Sequence, residues 1–466
     1  MTSDYNFPPK VEMPRLLRRI KFVLQPLKYV DDFALLYGDS FTLPHKNGAG
    51  VVYLSDPEAM KRIFTADTNS IEAGKGSSIL KFVVGDNSLF VLDGYRHQRQ
   101  RNLLAPPFHG DRMRTYGVTI CEITKQVSDK WKMGKPFNIR QSMQEITLSV
   151  ILRAVFGLDE GNRFDELRQL FTSLLDFLNL PVMSAGLFFS FLQKDWGTWS
   201  PWGRVLHLRR QIDDLIYAVI EERRAESNQN REDILSLMMS ARDEDGKAMS
   251  DEELRDELIS LLFAGHETTA SALTWAFYWV DYLPQVREKL LNELNDLGEN
   301  PEPSTIAKLP YLTAVCQETL RIYPIVPSAS PRVVVSPIEI GDYKLPKGTW
   351  IIPSIYLAHH REEVYPESKQ FKPERFLERQ FTPYEFFPFG GGNRRCIGLA
   401  FAMYEMKLVL ATILSQFEVS RIDKRPVKPV RRGVTVATPA EMKMVATPVK
   451  KIVKAPVTVL KTTKIT

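Results

Sequence analysis

Phe389-Gly390-Gly391-Gly392-Asn393-Arg394-Arg395-Cys396-Ile397-Gly398 brings one cysteine through a glycine-rich, arginine-bearing loop to the start of an apolar helical stretch. A thiolate persists only where positive charge and N–H donors surround it, and a helix N-terminus with nearby arginines supplies both. The glycines let the backbone approach whatever the sulfur binds, and Phe389 can pack beside the sulfur and keep water away. Cys396 is therefore a candidate metal ligand. The plain alternative is an inert buried thiol, the usual state of an intracellular cysteine. Cys121 and Cys316 are its only companions, and three widely spaced cysteines argue against a disulfide framework and for a reducing compartment.

Working back from the loop, the best-marked helix starts at Ser250, whose spacing to Glu253 makes a capping box, and runs to about Leu283 before Pro284. At ~1.5 Å per residue such a helix is roughly 50 Å long. Leu261, Leu262, Phe263 and Ala264, then Ala270, Ala272, Leu273 and Trp275, make its middle apolar on every side, which predicts burial of both faces. In that middle lies Ala264-Gly265-His266-Glu267-Thr268-Thr269, an acid and two hydroxyls that are costly to bury without partners. Gly265 lowers helix propensity, and Thr268 can bend the helix by bonding to a carbonyl one turn back, which opens a groove. The alternative is a helix–helix contact with satisfied threonines. Glu318 and Arg321 share one face of a predicted helix over Tyr311–Ile322, a spacing equally usual for a surface pair. His97 and Arg101 share a face of another helix, where a solvated basic surface is the alternative.

Taken together these segments resemble the cytochrome P450 family. The loop fits Phe-x-x-Gly-x-Arg-x-Cys-x-Gly at every fixed position, residues 264–269 fit Ala-Gly-x-Asp/Glu-Thr-Thr, and Phe371-Lys372-Pro373-Glu374-Arg375-Phe376 fits the Pro-Glu-Arg-Phe segment downstream of the Glu318–Arg321 pair. The resemblance implies a mainly α fold with small β-sheets, a triangular helical part beside a smaller strand-rich part. It implies heme b, with Cys396 as axial iron ligand and His97, Arg101, Arg332, Arg394, Phe389 and Gly390 around the cofactor. It assigns Thr268 to bound oxygen, Glu267 to proton relay, and Glu318, Arg321 and Arg375 to a buried ion network. Phe263, Ala264, Val326 and Ala329 fall at the substrate pocket. The opening PPKVEMPRLLRRIKFVLQPLKYVDDFALLYGDSFTL and the late RPVKPVRRGVTVATP are similar to the cyanobacterial branch that oxidises fatty acids, hydrocarbons or terpenes. The implied activity is hydroxylation: one oxygen atom of O2 enters a C–H bond of an apolar substrate. The alternatives are a peroxide-using or isomerising heme-thiolate enzyme and a non-catalytic heme or hydrophobic-ligand binder.

The sequence has no flavin or iron–sulfur motif, so a ferredoxin with an NADPH-dependent reductase is the expected electron donor, docking on a basic face of Arg99, Arg395 and Lys407. Of the 466 residues, 44% are hydrophobic and 25% charged, which supports a sizeable core. Residues 421–466 hold twelve Lys/Arg against two acids, leaving 49 basic against 54 acidic residues elsewhere, so the net charge of +5 belongs to the end of the chain. Nucleic acid is not an expected partner. One domain over residues 1–445 and a basic, flexible, low-complexity tail over 446–466 are expected, in a cytoplasmic monomer. Leu170–Leu192 reads as two short helices divided at Pro181 and Gly186, a mobile lid bearing Phe171, Leu174, Leu175, Leu178, Phe188 and Phe189, with weak peripheral membrane contact.

Overall fold

Ser250 starts the helix that organises the molecule. Its side chain accepts from the Glu253 N–H at 3.2 Å while Glu253 accepts from the Ser250 N–H at 2.9 Å, a complete capping box. The computed structural model describes residues 5–45, 49–108, 110, 112–178, 194–226, 231–298 and 300–449. The helices used below are α1 (Arg15–Leu24), α2 (Pro26–Tyr37), α3 (Gly94–Leu104), α4 (Ile139–Phe156), α5 (Asn162–Leu178), α6 (Pro201–Ala225), α7 (Asp251–Tyr282), α8 (Pro310–Ile322) and α9 (Leu399–Leu414).

α7 is the long helix expected from the capping box, and α4, α6, α8 and α9 pack around it. Two of its buried hydroxyls are satisfied locally: Ser260 and Thr274 bond back to the Asp256 and Ala270 carbonyls, each at 2.6 Å. The resulting core includes Trp275 and Phe277 of α7, Ile146 and Phe156 of α4, and Leu408 and Leu410 of α9. Gly265 permits the closest approach, since a Cβ there would stand 2.8 Å from the Ile151 side chain.

The strand-rich part is a five-stranded sheet of β1 (Phe41–Leu43), β2 (Val51–Leu54), β3 (Ile71–Glu72), β4 (Arg332–Val334) and β5 (Trp350–Pro353), in the order β1-β2-β5-β4-β3. β2 and β5 run parallel, Val51 opposite Trp350, and the other pairs are antiparallel. Under the sheet, Val52, Leu54, Ile63, Phe64 and Ile351 pack with Ala329 and Phe387, so the strand-rich core reaches the segment that leads into the cysteine loop. A short hairpin, β6 (Val430–Arg432) and β7 (Thr435–Ala437), lies near α7.

Within the Leu170–Leu192 stretch, α5 runs to Leu178, and Phe171, Leu174 and Leu175 are buried in the main core. That part is a core helix. Pro181, Gly186, Phe188 and Phe189 lie outside the described residues. The last strand among the described residues, Lys443–Pro448, pairs with Phe417–Arg421 and runs three residues past the expected domain end at 445; residues 450–466 are outside the described residues.

Glu405 of α9 is buried with Oε1 unpartnered, and burial pushes its carboxyl well above the usual range. An acid whose folded pKa is raised binds its proton more tightly in the folded state, so folding stability falls as pH rises from the unfolded value toward the folded one. Glu405→Gln is expected to remove that slope and to raise the melting temperature at pH 8 relative to wild type. Parallel melting curves at pH 5 and pH 8 check it; a variant less stable at both pH values would show that the carboxyl has a partner.

Candidate active site

The cysteine loop is held by its own backbone. Cys396 N–H donates to the Phe389 carbonyl at 2.9 Å, Arg395 N–H to Gly392 at 3.1 Å and Gly390 N–H to Phe387 at 2.9 Å. Gly390 and Gly392 have φ of +70° and +64°, and a Cβ on Gly391 would fall 2.2 Å from the Phe64 ring. Glycines are required there for conformation and for closeness. α9 begins with Gly398 as its N-cap, so the sulfur sits at a helix N-terminus. The thiol is open at its tip yet ringed by protein; burial pushes its pKa up, while the Gly398 N–H, Arg101 and Arg395 pull it down.

Around the loop gathers a cluster of basic side chains with little to neutralise it. His97 and Arg332 are each 3% exposed. Burial first, then Arg394, Arg101 and Arg332, push the His97 imidazole down to about 3, so it is neutral. Burial and Arg394 push Arg332 down to about 9, against the pull of Asp93. Burial likewise lowers Arg394, to about 10, and Arg101. Among the described residues, the carboxylate acting on Arg332 and Arg394 is that of Asp93. It accepts from Arg394 at 2.5 Å and is also taken up by the Ala73, Gly74 and Lys75 N–H groups at 2.8 to 3.0 Å. Three guanidinium groups beside one committed carboxylate suit a ligand that carries two more, and arginine binds carboxylates bidentately.

On α7, Leu261, Ala264, Gly265 and Thr268 are only partly buried while most of the middle of the helix is buried, and their spacing puts them on one stripe. Thr268 Oγ1 donates to the Ala264 carbonyl at 2.5 Å, the back-bonding expected for a bent helix. Glu267 points elsewhere. It is 7% exposed, forms an ion pair with Arg140, accepts from Gln144 Nε2 at 2.8 Å and lies 3.6 Å from Arg432 of β6. His266 shares Thr147 Oγ1 at 3.1 Å, and burial pushes it down to about 3. Phe263 and Val326 are half-buried, and Ala329 is buried with its Cβ 3.7 Å from where a Gly390 Cβ would stand.

The structure also brings Glu318, Arg321 and Arg375 together. Arg321 forms a two-pronged pair with Glu318 at 2.6 and 2.8 Å and donates to the His359 and Gln370 carbonyls; Glu318 Oε1 accepts from Lys372 N–H at 2.8 Å and Arg375 Nε at 3.2 Å. Glu318 and Arg321 are 0% exposed. Two cations of the expected basic face are committed elsewhere: Arg99 pairs with Asp243 at 2.5 Å and Glu253 at 2.8 Å, and Lys407 donates to the Ala307 carbonyl at 2.6 Å. Arg395 is the exposed member of the trio. Arg140, Gln144, Arg432 and Asp93 carry no motif, and nothing in their spacing marks them as neighbours of Glu267 or Arg394.

A family model, Cytochrome P450, matches residues 8–445. The chain belongs to the cytochrome P450 family. It is similar to the protein designated cytochrome P450 135B1 of Mycobacterium tuberculosis, 37% identical over 424 residues that cover 90% of this chain and 87% of that protein. To cytochrome P450 138 of Mycobacterium bovis it is 36% identical over 433 residues, covering 92% and 93%. Its fold is similar to the cyanobacterial CYP120A1 solved with bound retinoic acid, at TM-score 0.82 and 23% identity over 96% of this chain and all of that one. It is also similar to a cytochrome P450DA heme domain, at TM-score 0.83 and 21% identity over 95% and 98%. These sequence relatives are mycobacterial, and the likeness to the cyanobacterial structure is one of fold. As a P450 the chain is a heme-thiolate monooxygenase, an oxidoreductase that binds heme b and uses O2, a substrate and a redox partner. The surplus of guanidinium groups fits the two propionates of that cofactor. No helix among the described residues is long and apolar enough to cross a membrane.

Proposed function

We propose that this P450 hydroxylates an apolar small molecule, a fatty acid, hydrocarbon or terpene, with electrons from a ferredoxin and its NADPH-dependent reductase. The observation that carries the reading is the loop thiol facing an under-neutralised set of arginines, a pairing with no evident use in folding alone. When bound, the heme supplies the oxygen chemistry. The chain's own residues do the rest. Cys396 presents its sulfur from a backbone-locked loop, where it would hold the heme and donate electron density to it. Arg101, Arg332 and Arg394 would hold the propionate side, and neutral His97 would donate or accept there without adding a fourth charge. Thr268 keeps a hydroxyl on the partly buried stripe of α7, bonded to the Ala264 carbonyl, and would be free to donate it to the oxygen substrate. Glu267 moves protons, and its ties to Arg140, Gln144 and Arg432 fix where its carboxylate stands. Phe263, Ala264, Val326 and Ala329 offer carbon and no charge, which supports an apolar substrate. Residual docking charge for the electron donor comes from Arg395.

Thr268→Ala is expected to keep heme content and substrate affinity and to uncouple the cycle, so that NADPH is consumed with peroxide as product and product per NADPH falls about tenfold or more. Substrate-induced spin shifts across long-chain fatty acids, alkanes and sesquiterpenes identify the class to use. Coupling at the wild-type level in the variant would refute the assignment of Thr268. Substrate-dependent NADPH consumption also separates this function from a heme-bearing binder, which would show none.

A further inference from the structure

Asp256, Glu257 and Ser260, near the start of α7, are buried polar side chains that reach one stretch of chain. Asp256 Oδ2 accepts from the Asn87 N–H at 2.8 Å and from Asn87 Nδ2 at 3.2 Å, and Glu257 Oε1 accepts from the Leu89 N–H at 2.8 Å. Ser260 Oγ donates to the Asp256 carbonyl, so in its 2.6 Å contact with Ser88 the Ser88 hydroxyl is the donor. Gly85, at φ +89°, opens the stretch, and a Cβ there would overlap the Asp256 carboxylate, so this backbone lies directly on the helix.

The same stretch carries Arg394. Its Nη1 donates to the Leu89 carbonyl at 3.2 Å, and its Nη2 to the Leu92 carbonyl and to Asp93, each at 2.5 Å. Leu89 is therefore held by its N–H from α7 while its carbonyl holds Arg394. The Val91 and Leu92 N–H groups bond to the Ser88 carbonyl at 3.0 and 3.2 Å, which closes the backbone between the two ends into a turn. Glu257 is the member of the trio that bears on Leu89 itself, and it is 1% exposed. Burial raises its carboxyl well above the usual range against the pull of the Leu89 N–H, and Asp256 and Glu253 add to the rise. The neutral acid is thereby favoured, and glutamine has the shape of that form.

We propose that Glu257 is a positioning residue for the heme: through the Leu89 peptide it fixes Arg394 at the propionate side. The inference rests on the propionate role given to Arg394 under the proposed function. A long arginine side chain keeps one place only where its donors are used, and Nη1 is used by a carbonyl that α7 restrains. Thr268 lies about 16 Å farther along the same helix, so the oxygen-side hydroxyl and the propionate-side arginine are both referred to one rigid rod. Without the Glu257 acceptor the Leu89 N–H loses its partner, the peptide turns, and its carbonyl leaves Arg394. The propionates are then less neutralised. Heme is held less tightly, and the added negative charge beside it makes it harder to reduce.

The test follows heme transfer from the full-length holoprotein to excess apomyoglobin, together with the heme midpoint potential. It compares Glu257→Leu, Glu257→Gln, Arg394→Gln and the double variant Glu257→Leu/Arg394→Gln. Glu257→Leu keeps the bulk and removes the acceptor, so heme release is expected to be about tenfold faster, the size of one lost hydrogen bond to a charged group, and the potential to fall. Glu257→Gln keeps a carbonyl oxygen for the Leu89 N–H and should match the wild type. In the Arg394→Gln background, Glu257→Leu should add nothing, because its effect runs through that arginine. Wild-type release in Glu257→Leu, an equal loss in Glu257→Gln, or the same fold-change in both backgrounds overturns the inference while leaving Arg394 its role. Wild-type release in Arg394→Gln overturns the propionate reading, and the inference with it. Should Glu257→Leu not fold, Glu257→Asp, whose carboxyl is one methylene too short to reach Leu89, carries the same comparison.

Discussion

Glu318→Ala is expected to give little or no holoprotein. The substitution leaves Arg321, 0% exposed, without its two-pronged partner, and also strands the Arg375 Nε and the Lys372 N–H that share the same carboxylate. Breaking a buried ion pair from one side costs about 3–5 kcal/mol, a large share of the roughly 5–15 kcal/mol that holds a folded chain together. The loss is also local to the chemistry. Arg321 and Arg375 fasten the His359, Gln370 and Pro366 carbonyls, and His359 Nε2 in turn accepts from the Phe387 N–H at 3.0 Å, two residues before the cysteine loop begins. Arg375→Ala should act in the same direction and more weakly, because its contact with Glu318 is a single 3.2 Å bond. Heme content per chain and melting temperature check both variants. Wild-type heme content in Glu318→Ala would show that the network does not support the loop.

Cys396→Ala and Cys396→His are expected to lose monooxygenation to background. Neither replacement supplies the electron push of a thiolate, and the loop that carries the residue is fixed by backbone bonds that the substitutions do not touch. The fold should survive, since Cys396 is exposed at its tip and its side chain makes none of the loop's backbone bonds. Product formation with a reconstituted electron donor is the measurement; turnover by either variant above a heme-only control would contradict the role given to the sulfur.

What could be read from the sequence was whatever local order encodes. The capping box of Ser250 and Glu253 and the glycine loop before α9 both depend on residues within a few positions of each other. The geometry of Glu318 and Arg321 was legible for the same reason, since three residues on a helix share a face. What was not legible depends on pairing across the chain. Glu267 meets Arg140 and Arg432, 127 residues before and 165 after it, and no periodicity announces such partners. Arg99 and Lys407 looked free because their partners Asp243, Glu253 and the Ala307 carbonyl are at least 100 residues away, and only the fold shows that their charge and donors are already used.

The central claim is that Cys396 is the thiolate ligand, and the reduced carbon monoxide complex tests it most directly. The wild-type protein is expected to show the strongly red-shifted Soret band of a thiolate-ligated heme, and Cys396→His, loaded with the same heme, an unshifted band. A wild-type complex without the red shift, or a red-shifted band that persists in Cys396→His, would contradict it.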